Sequence, residues 1–78
     1  KVNLYPNPTT NYFQLRIYQH HNEYPVQVDV YNSCGRIVYS VKGNSYSQFT
    51  FGNEFPRGSY FVKVNIAGNV KTVKAIKL

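Results

Sequence analysis

An antiparallel all-β sandwich is the fold class this sequence predicts, on three observations. Apolar and polar residues alternate at period two in three separate stretches, the signature of strands with one buried side. The composition leans to β-branched and aromatic residues: ten Val, four Ile, four Thr, eight Tyr and five Phe, against two Ala, three Leu and no Met. Such side chains suit a pleated, half-buried surface and lose rotamer freedom in a helix, which argues against a helical bundle. Finally, turn residues divide the chain into up to seven short runs with no helical pattern between them. Two sheets facing across a core about 10 Å thick are the expected arrangement.

The elements follow in chain order. Val2 to Tyr5 is a short strand candidate, broken by Pro6-Asn7-Pro8 because each proline fixes φ and removes a backbone donor. Tyr12 to Tyr18 places Phe13, Leu15 and Ile17 on one face and Gln14 and Arg16 on the other. A polar loop, Gln19 to Tyr24, leads to Pro25–Tyr31, where Val26, Val28 and Val30 point in and Gln27 and Asp29 out. Asn32-Ser33-Cys34-Gly35 reads as a turn into a shorter candidate, Arg36 to Lys42. Gly43-Asn44-Ser45 reads as the next loop, and Gln48 to Phe51 as another short strand. Pro56-Arg57-Gly58 forms a turn before Gly58–Ile66, with Tyr60, Val62, Val64 and Ile66 inward and Phe61, Lys63 and Asn65 outward. Ala67-Gly68-Asn69 makes the last hairpin. In the closing stretch, Val70 to Leu78, Lys74 shares a parity with Val70, Thr72, Ile76 and Leu78. A bulge near Val73 or Lys74 would repair this pattern, as would a lysine stem lying along apolar surface.

Seventy-eight residues make one domain, 1–78, with room for a single core. No apolar run approaches the ~20 residues of a membrane helix, so direct membrane insertion is not expected. The first residue is Lys, so the chain is expected to be excised from a larger protein. One cysteine, Cys34, forms no internal disulfide, and the core must carry stability alone or with a partner. The net charge is +6, and Lys42, Arg57, Lys63, Lys71, Lys74 and Lys77 crowd the second half, so an anionic partner is favoured.

Catalytic chemistry finds little support. His20-His21 are neighbours whose side chains diverge on an extended backbone, and no second His or Cys pair completes a four-ligand site; a solvated loop is the expected reading. Cys34 has no base fixed beside it and reads as a small turn residue. Glu23, Asp29 and Glu54 are too scattered for a carboxylate pair. No enzyme, cofactor or metal site is expected. Tyr12, Arg16, Tyr18, Tyr31, Phe61 and Lys63 mix rings and cations as base-stacking sheets do, but without a nucleic-acid module signature, so no nucleic-acid partner is expected.

Three blocks carry a resemblance. The first is Leu4-Tyr5-Pro6-Asn7-Pro8-Thr9-Thr10 followed by the Phe13, Leu15, Ile17 alternation. The second is Val28-Asp29-Val30-Tyr31, a polar turn, then Gly35-Arg36-Ile37-Val38. The third runs from Phe55-Pro56-Arg57-Gly58-Ser59-Tyr60-Phe61-Val62-Lys63-Val64 through Gly68 to the lysine-rich close, Lys71 to Leu78. In this order the chain resembles the type A C-terminal sorting domains of the type IX secretion system of Bacteroidota. The resemblance implies a seven-stranded antiparallel immunoglobulin-like β-sandwich at the C-terminus of a larger cargo protein. It implies an address and no activity: after Sec export to the periplasm, the type IX translocon, shuttle and sortase components carry the cargo through the outer membrane. The sortase usually removes the domain and joins the cargo to anionic lipopolysaccharide. Cys34 in a usually polar turn, Ser59 in a usually apolar position and the Gln19–Tyr24 loop depart from the pattern and leave cleavage or retention open.

Partner recognition is expected at Pro6, Asn7, Pro8, Gly35, Gly58, Tyr60, Lys71, Lys74 and Lys77. Pro6 and Pro8 would hold Asn7 presented between them, or Tyr5-Pro6-Asn7-Pro8 would serve foremost as a structural turn that sets strand entry, and the glycines would aim the following strands. Lys71, Lys74 and Lys77 would meet an acidic partner while a sheet edge pairs with it, or else guard that edge against aggregation. Gly58 and Tyr60 are expected to act chiefly through fold integrity. Exposed edges also make a homodimer plausible. An immunoglobulin-like adhesin or carbohydrate-binding module, stacking Tyr rings on sugars, is the alternative from another class.

Overall fold

Among the described residues, alternation along the chain produces seven strands and two facing sheets. The computed structural model describes residues 2–18 and 22–78. The strands are β1 (Val2–Tyr5), β2 (Phe13–Ile17), β3 (Pro25–Asn32), β4 (Ile37–Asn44), β5 (Gln48–Phe51), β6 (Gly58–Ile66) and β7 (Asn69–Lys77). One sheet has three strands in the order β1-β2-β5, the other four in the order β4-β3-β6-β7, and every pairing between strands is antiparallel.

Register stacks the inward residues into layers. Leu15 lies between Leu4 and Phe49 in the three-stranded sheet, and Val28 between Val41 and Val64 in the other. Leu15, Val28, Val30, Val62 and Val64 are fully buried. Each such side chain contributes about 1.5–3 kcal/mol through burial, the main driving force in a domain with no disulfide. At one end an aromatic cluster closes the core. Phe51 lies with its ring centroid 5.9 Å from Phe13, 5.2 Å from Tyr39 and 6.3 Å from Phe55, and Phe55 stacks on Tyr60 at 4.8 Å.

Three details differ from the sequence expectations. β4 runs on to Asn44, and the turn falls at Ser45-Tyr46. Gly43 stays in the strand because the Phe49 ring packs where a Cβ would stand, 2.9 Å away. Buried Ser45 anchors the turn: its hydroxyl accepts the Tyr24 N–H and donates to the Asn22 carbonyl. Secondly, β7 has no bulge and pairs continuously with β6 from Asn69 to Lys77. The irregularity lies instead between β3 and β4, where Val30 faces Tyr39, Tyr31 faces Ile37 and Val38 is the extra residue. Thirdly, the parity of β7 puts Val73, Ala75 and Lys77 inward and Lys74 outward, so the lysine with its stem in the core is Lys77.

Candidate functional site

The lower half of β7 is where the segments from the two ends of the domain meet. Its outer edge is capped by the proline-rich segment after β1. The Asn7 side-chain amide donates to the Lys74 carbonyl at 2.8 Å, and its Oδ1 accepts the Ile76 N–H at 3.0 Å. The Thr9 N–H donates to the Ile76 carbonyl at 3.1 Å, and the Thr9 carbonyl accepts the Leu78 N–H at 2.8 Å, a short parallel bridge. Both the Tyr5–Pro6 and Asn7–Pro8 peptide bonds are cis. Asn7 thus has both ends of its amide committed to the β7 backbone; it clamps the edge and is not held out for a partner.

The inner face of the same half carries a buried cation. Lys77 is only 5% exposed. Its ammonium donates to the carbonyls of Gly52, of Asn53 at 3.2 Å and of Phe55 at 3.2 Å. These carbonyls belong to the turn after β5, so Lys77 ties the four-stranded sheet to the end of the three-stranded one. Hydrogen bonds to a charged donor are stronger than neutral ones, and three of them offset the desolvation of the ammonium. Gly52 makes this turn with φ +93°, and a Cβ there would meet the Phe13 ring at 2.9 Å. The position therefore requires glycine on conformational and steric grounds.

The remaining expected site residues fall elsewhere. Gly35 (φ +82°) sits in the β3–β4 turn, where the Asn32 Oδ1 accepts the N–H groups of Cys34 and Arg36. Gly58 (φ +152°) opens β6 opposite Lys77, with open space around its Cα. Tyr60 is buried, and its hydroxyl donates to the Pro56 carbonyl at 2.6 Å, bracing the preceding turn. Pro6 and Pro8 are exposed on either side of Asn7. Lys71 and Lys74 are exposed but lie on opposite faces of β7: Lys74 faces Phe61 on the outside, and Lys71 shares the inward parity beyond the end of the core. The structure therefore brings Asn7, Gly58 and Lys77 together around one seam and does not gather the three lysines into a patch. The expectation that Lys77 faces an acidic partner is corrected, because its ammonium is enclosed by carbonyls.

Thr9, Gly52, Asn53 and Phe55 complete the seam, and sequence reasoning did not find them. They act through backbone groups, and only the Pro-Asn-Pro-Thr run marks any part of it. Among the described residues no group of three or more His, Cys, Asp and Glu side chains could hold a metal ion. His20 and His21 lie outside the described residues. Cys34 is exposed in its turn.

Residues 3–78 match the secretion system C-terminal sorting domain, the sorting signal of type IX secretion. The chain belongs to that family. No curated protein matches it. The match spans all of the strands apart from Val2, and with them the whole seam. The sorting domain interacts with the type IX secretion machinery and directs export across the outer membrane, to the cell surface or beyond. Its family is one of secretion signals, not of known enzymes.

Proposed function

We infer that these residues form the C-terminal domain of a larger cargo protein, reach the periplasm, and hand that cargo to the translocon, shuttle and sortase components of type IX secretion. The usual next step is removal of the domain by the sortase upstream of the fold and anchoring of the cargo at the surface, with retention of this copy the alternative. The family match over residues 3–78 carries this reading. The division of labour in the fold supports it: the chemistry-bearing side chains at the seam are spent on structure. Asn7 and Lys77 fasten β7, Tyr60 braces a turn, and Pro6, Pro8, Gly35 and Gly58 set backbone course. These residues act in recognition through the shape they maintain, while exposed Lys71 and Lys74 are free to meet an acidic partner directly. β4 ends its sheet with an eight-residue edge, on which a second copy of the domain would add.

A fusion of residues 1–78 behind a fluorescent protein with a Sec signal, in a type IX-competent cell, tests the reading. Fluorescence on the cell surface or in the medium is expected. Periplasmic retention with the domain folded would overturn it.

A further inference from the structure

We propose that the outer face of the four-stranded sheet docks a protein surface of the export machinery, one whose apolar centre is flanked by Asp or Glu side chains. This rests on the sorting function above and assigns the face that performs it.

The two outer faces of the sandwich differ in kind. On the three-stranded sheet, cross-strand neighbours are Asn3, Arg16 and Gln48 in one row, and Gln14, Thr50 and half-buried Tyr5 in the next. The Gln14 and Gln48 side chains hydrogen-bond to each other, and the Arg16 guanidinium lies 5.7 Å from the centroid of the exposed Tyr18 ring. That surface is mostly polar, and its Tyr18 ring already carries a cation from its own strand. On the four-stranded sheet, one row runs from Ile37 at the bulge through Tyr31 and Phe61 to Lys74. Phe61 is 41% exposed on a central strand and points away from the core. Ile37 and Val38 are exposed at the β4 end of this row and extend the apolar area towards that edge, whereas exposed Val70 stands apart from it, beyond the Asp29–Lys63–Thr72 row. Large apolar groups clustered on one face of a small domain mark an interaction surface.

The charge around this row fixes the chemistry of the occupant. Lys42, Lys63 and Lys74 lie on the outward parity of β4, β6 and β7. The face has one carboxylate, Asp29, and it is engaged: Ser40 donates to it at 2.7 Å and Gln27 at 3.0 Å. Lysines at the end of the aromatic row and along one side of it steer an acidic partner and align it, while ring burial supplies the holding contact.

The test uses the fluorescent fusion in a type IX-competent cell with two sets of changes. Phe61→Ser with Lys74→Glu alters the proposed face; Arg16→Glu alters the opposite one. A third fusion, Lys63→Gln with Lys74→Gln, removes charge and leaves Phe61 in place, in case the first variant fails to fold. Folding is checked on the purified domains, with melting expected within about 4 °C of the parent, as suits surface changes. The expected result is at least about a tenfold drop in exported fluorescence for the first and third fusions and none for Arg16→Glu, a drop that corresponds to a loss in binding of the size one interface residue can cause. Export of the folded face variants at the parent level would overturn the docking face and leave the sorting function standing. Retention of the parent fusion would overturn both. A single-stranded oligonucleotide or an anionic polysaccharide that binds the parent domain and not the face variants, with export unchanged, would overturn the assignment to a protein partner.

Discussion

Ala75 and Lys77 are buried, whereas Val70 and Lys71, earlier on the same strand, stand exposed. The backbone differs in the same way. The Ile76 N–H and C=O point away from β6 and are taken by Asn7 and Thr9, as is the Leu78 N–H. By the alternation of an antiparallel ladder, Thr72 and Val70 turn their backbone groups to that same outer side, beyond the reach of the clamp. One half of β7 is therefore fastened on its edge and its inner face, whereas the other relies on its ladder with β6 and on Val73, which is only partly buried against the core. The difference comes from what the opposite end of the domain offers: the segment around Asn7 and Thr9 and the turn after β5 both lie beside the lower half.

The sharpest way to break this contrast is to remove the lower fastening. Lys77→Ala leaves three enclosed carbonyls and a void, and is expected to destabilise the domain by about 3 kcal/mol in denaturant titration. Lys77→Met retains the apolar stem and should recover part of that loss. Gly52→Ala attacks the same turn through its backbone; a left-handed φ and a clash with Phe13 should cost about 2–3 kcal/mol, read as a lower melting temperature. Asn7→Ala removes two hydrogen bonds from the edge and is expected to cost about 1–2 kcal/mol. Its diagnostic is hydrogen exchange: the Ile76 amide should lose protection towards the low level expected of the Thr72 amide in the parent. Lys71→Ala on the open half should change stability by less than about 0.5 kcal/mol.

The smallest effect concerns the row that crosses the open half, Ser40–Asp29–Lys63–Thr72. The Ser40 hydrogen bond is the main cause holding the Asp29 carboxyl below the usual carboxylate range; burial opposes it, and the Gln27 hydrogen bond and the Lys63 charge add smaller contributions in its favour. A depressed carboxylate pKa stabilises the fold above the unfolded value and loses that contribution as pH falls through the folded value. The small contribution of Asp29 should therefore be present at neutral pH and fade below about pH 4. Ser40→Ala should move its NMR-detected titration upward, towards the ordinary Asp value.

Where side chains alternate by burial alone, the fold was legible. β2, β3 and β6 stand out because Phe13 to Ile17, Val26 to Val30 and Tyr60 to Val64 obey period two without exception. β7 was obscured because a charged residue occupies an inward position, and hydropathy cannot foresee an ammonium satisfied by carbonyls from another sheet. The extent of β4 was obscured because glycine reads as a turn, whereas Gly43 is there to admit the Phe49 ring. The seam was the least legible part. Asn7 bonds to residues 67 and 69 places away, and no local pattern reports such a partner. The outer face, by contrast, was partly in view: Tyr31, Phe61 and Lys63 could be assigned outward, but only the register aligns Phe61 with Lys74 and Ile37.

The clamp between Asn7 and Ile76 also bears on how this domain comes together. Contacts of such long sequence separation slow folding, since the ends must find each other before their closure is rewarded. While the last strand is still being synthesised or threaded, the proline segment has no edge to grip and the β5–β6 turn no cation to enclose. The domain then lacks its fastening at both places. A partner that reads the finished shape would meet it only once residues 74–77 have found the proline segment and the β5–β6 turn.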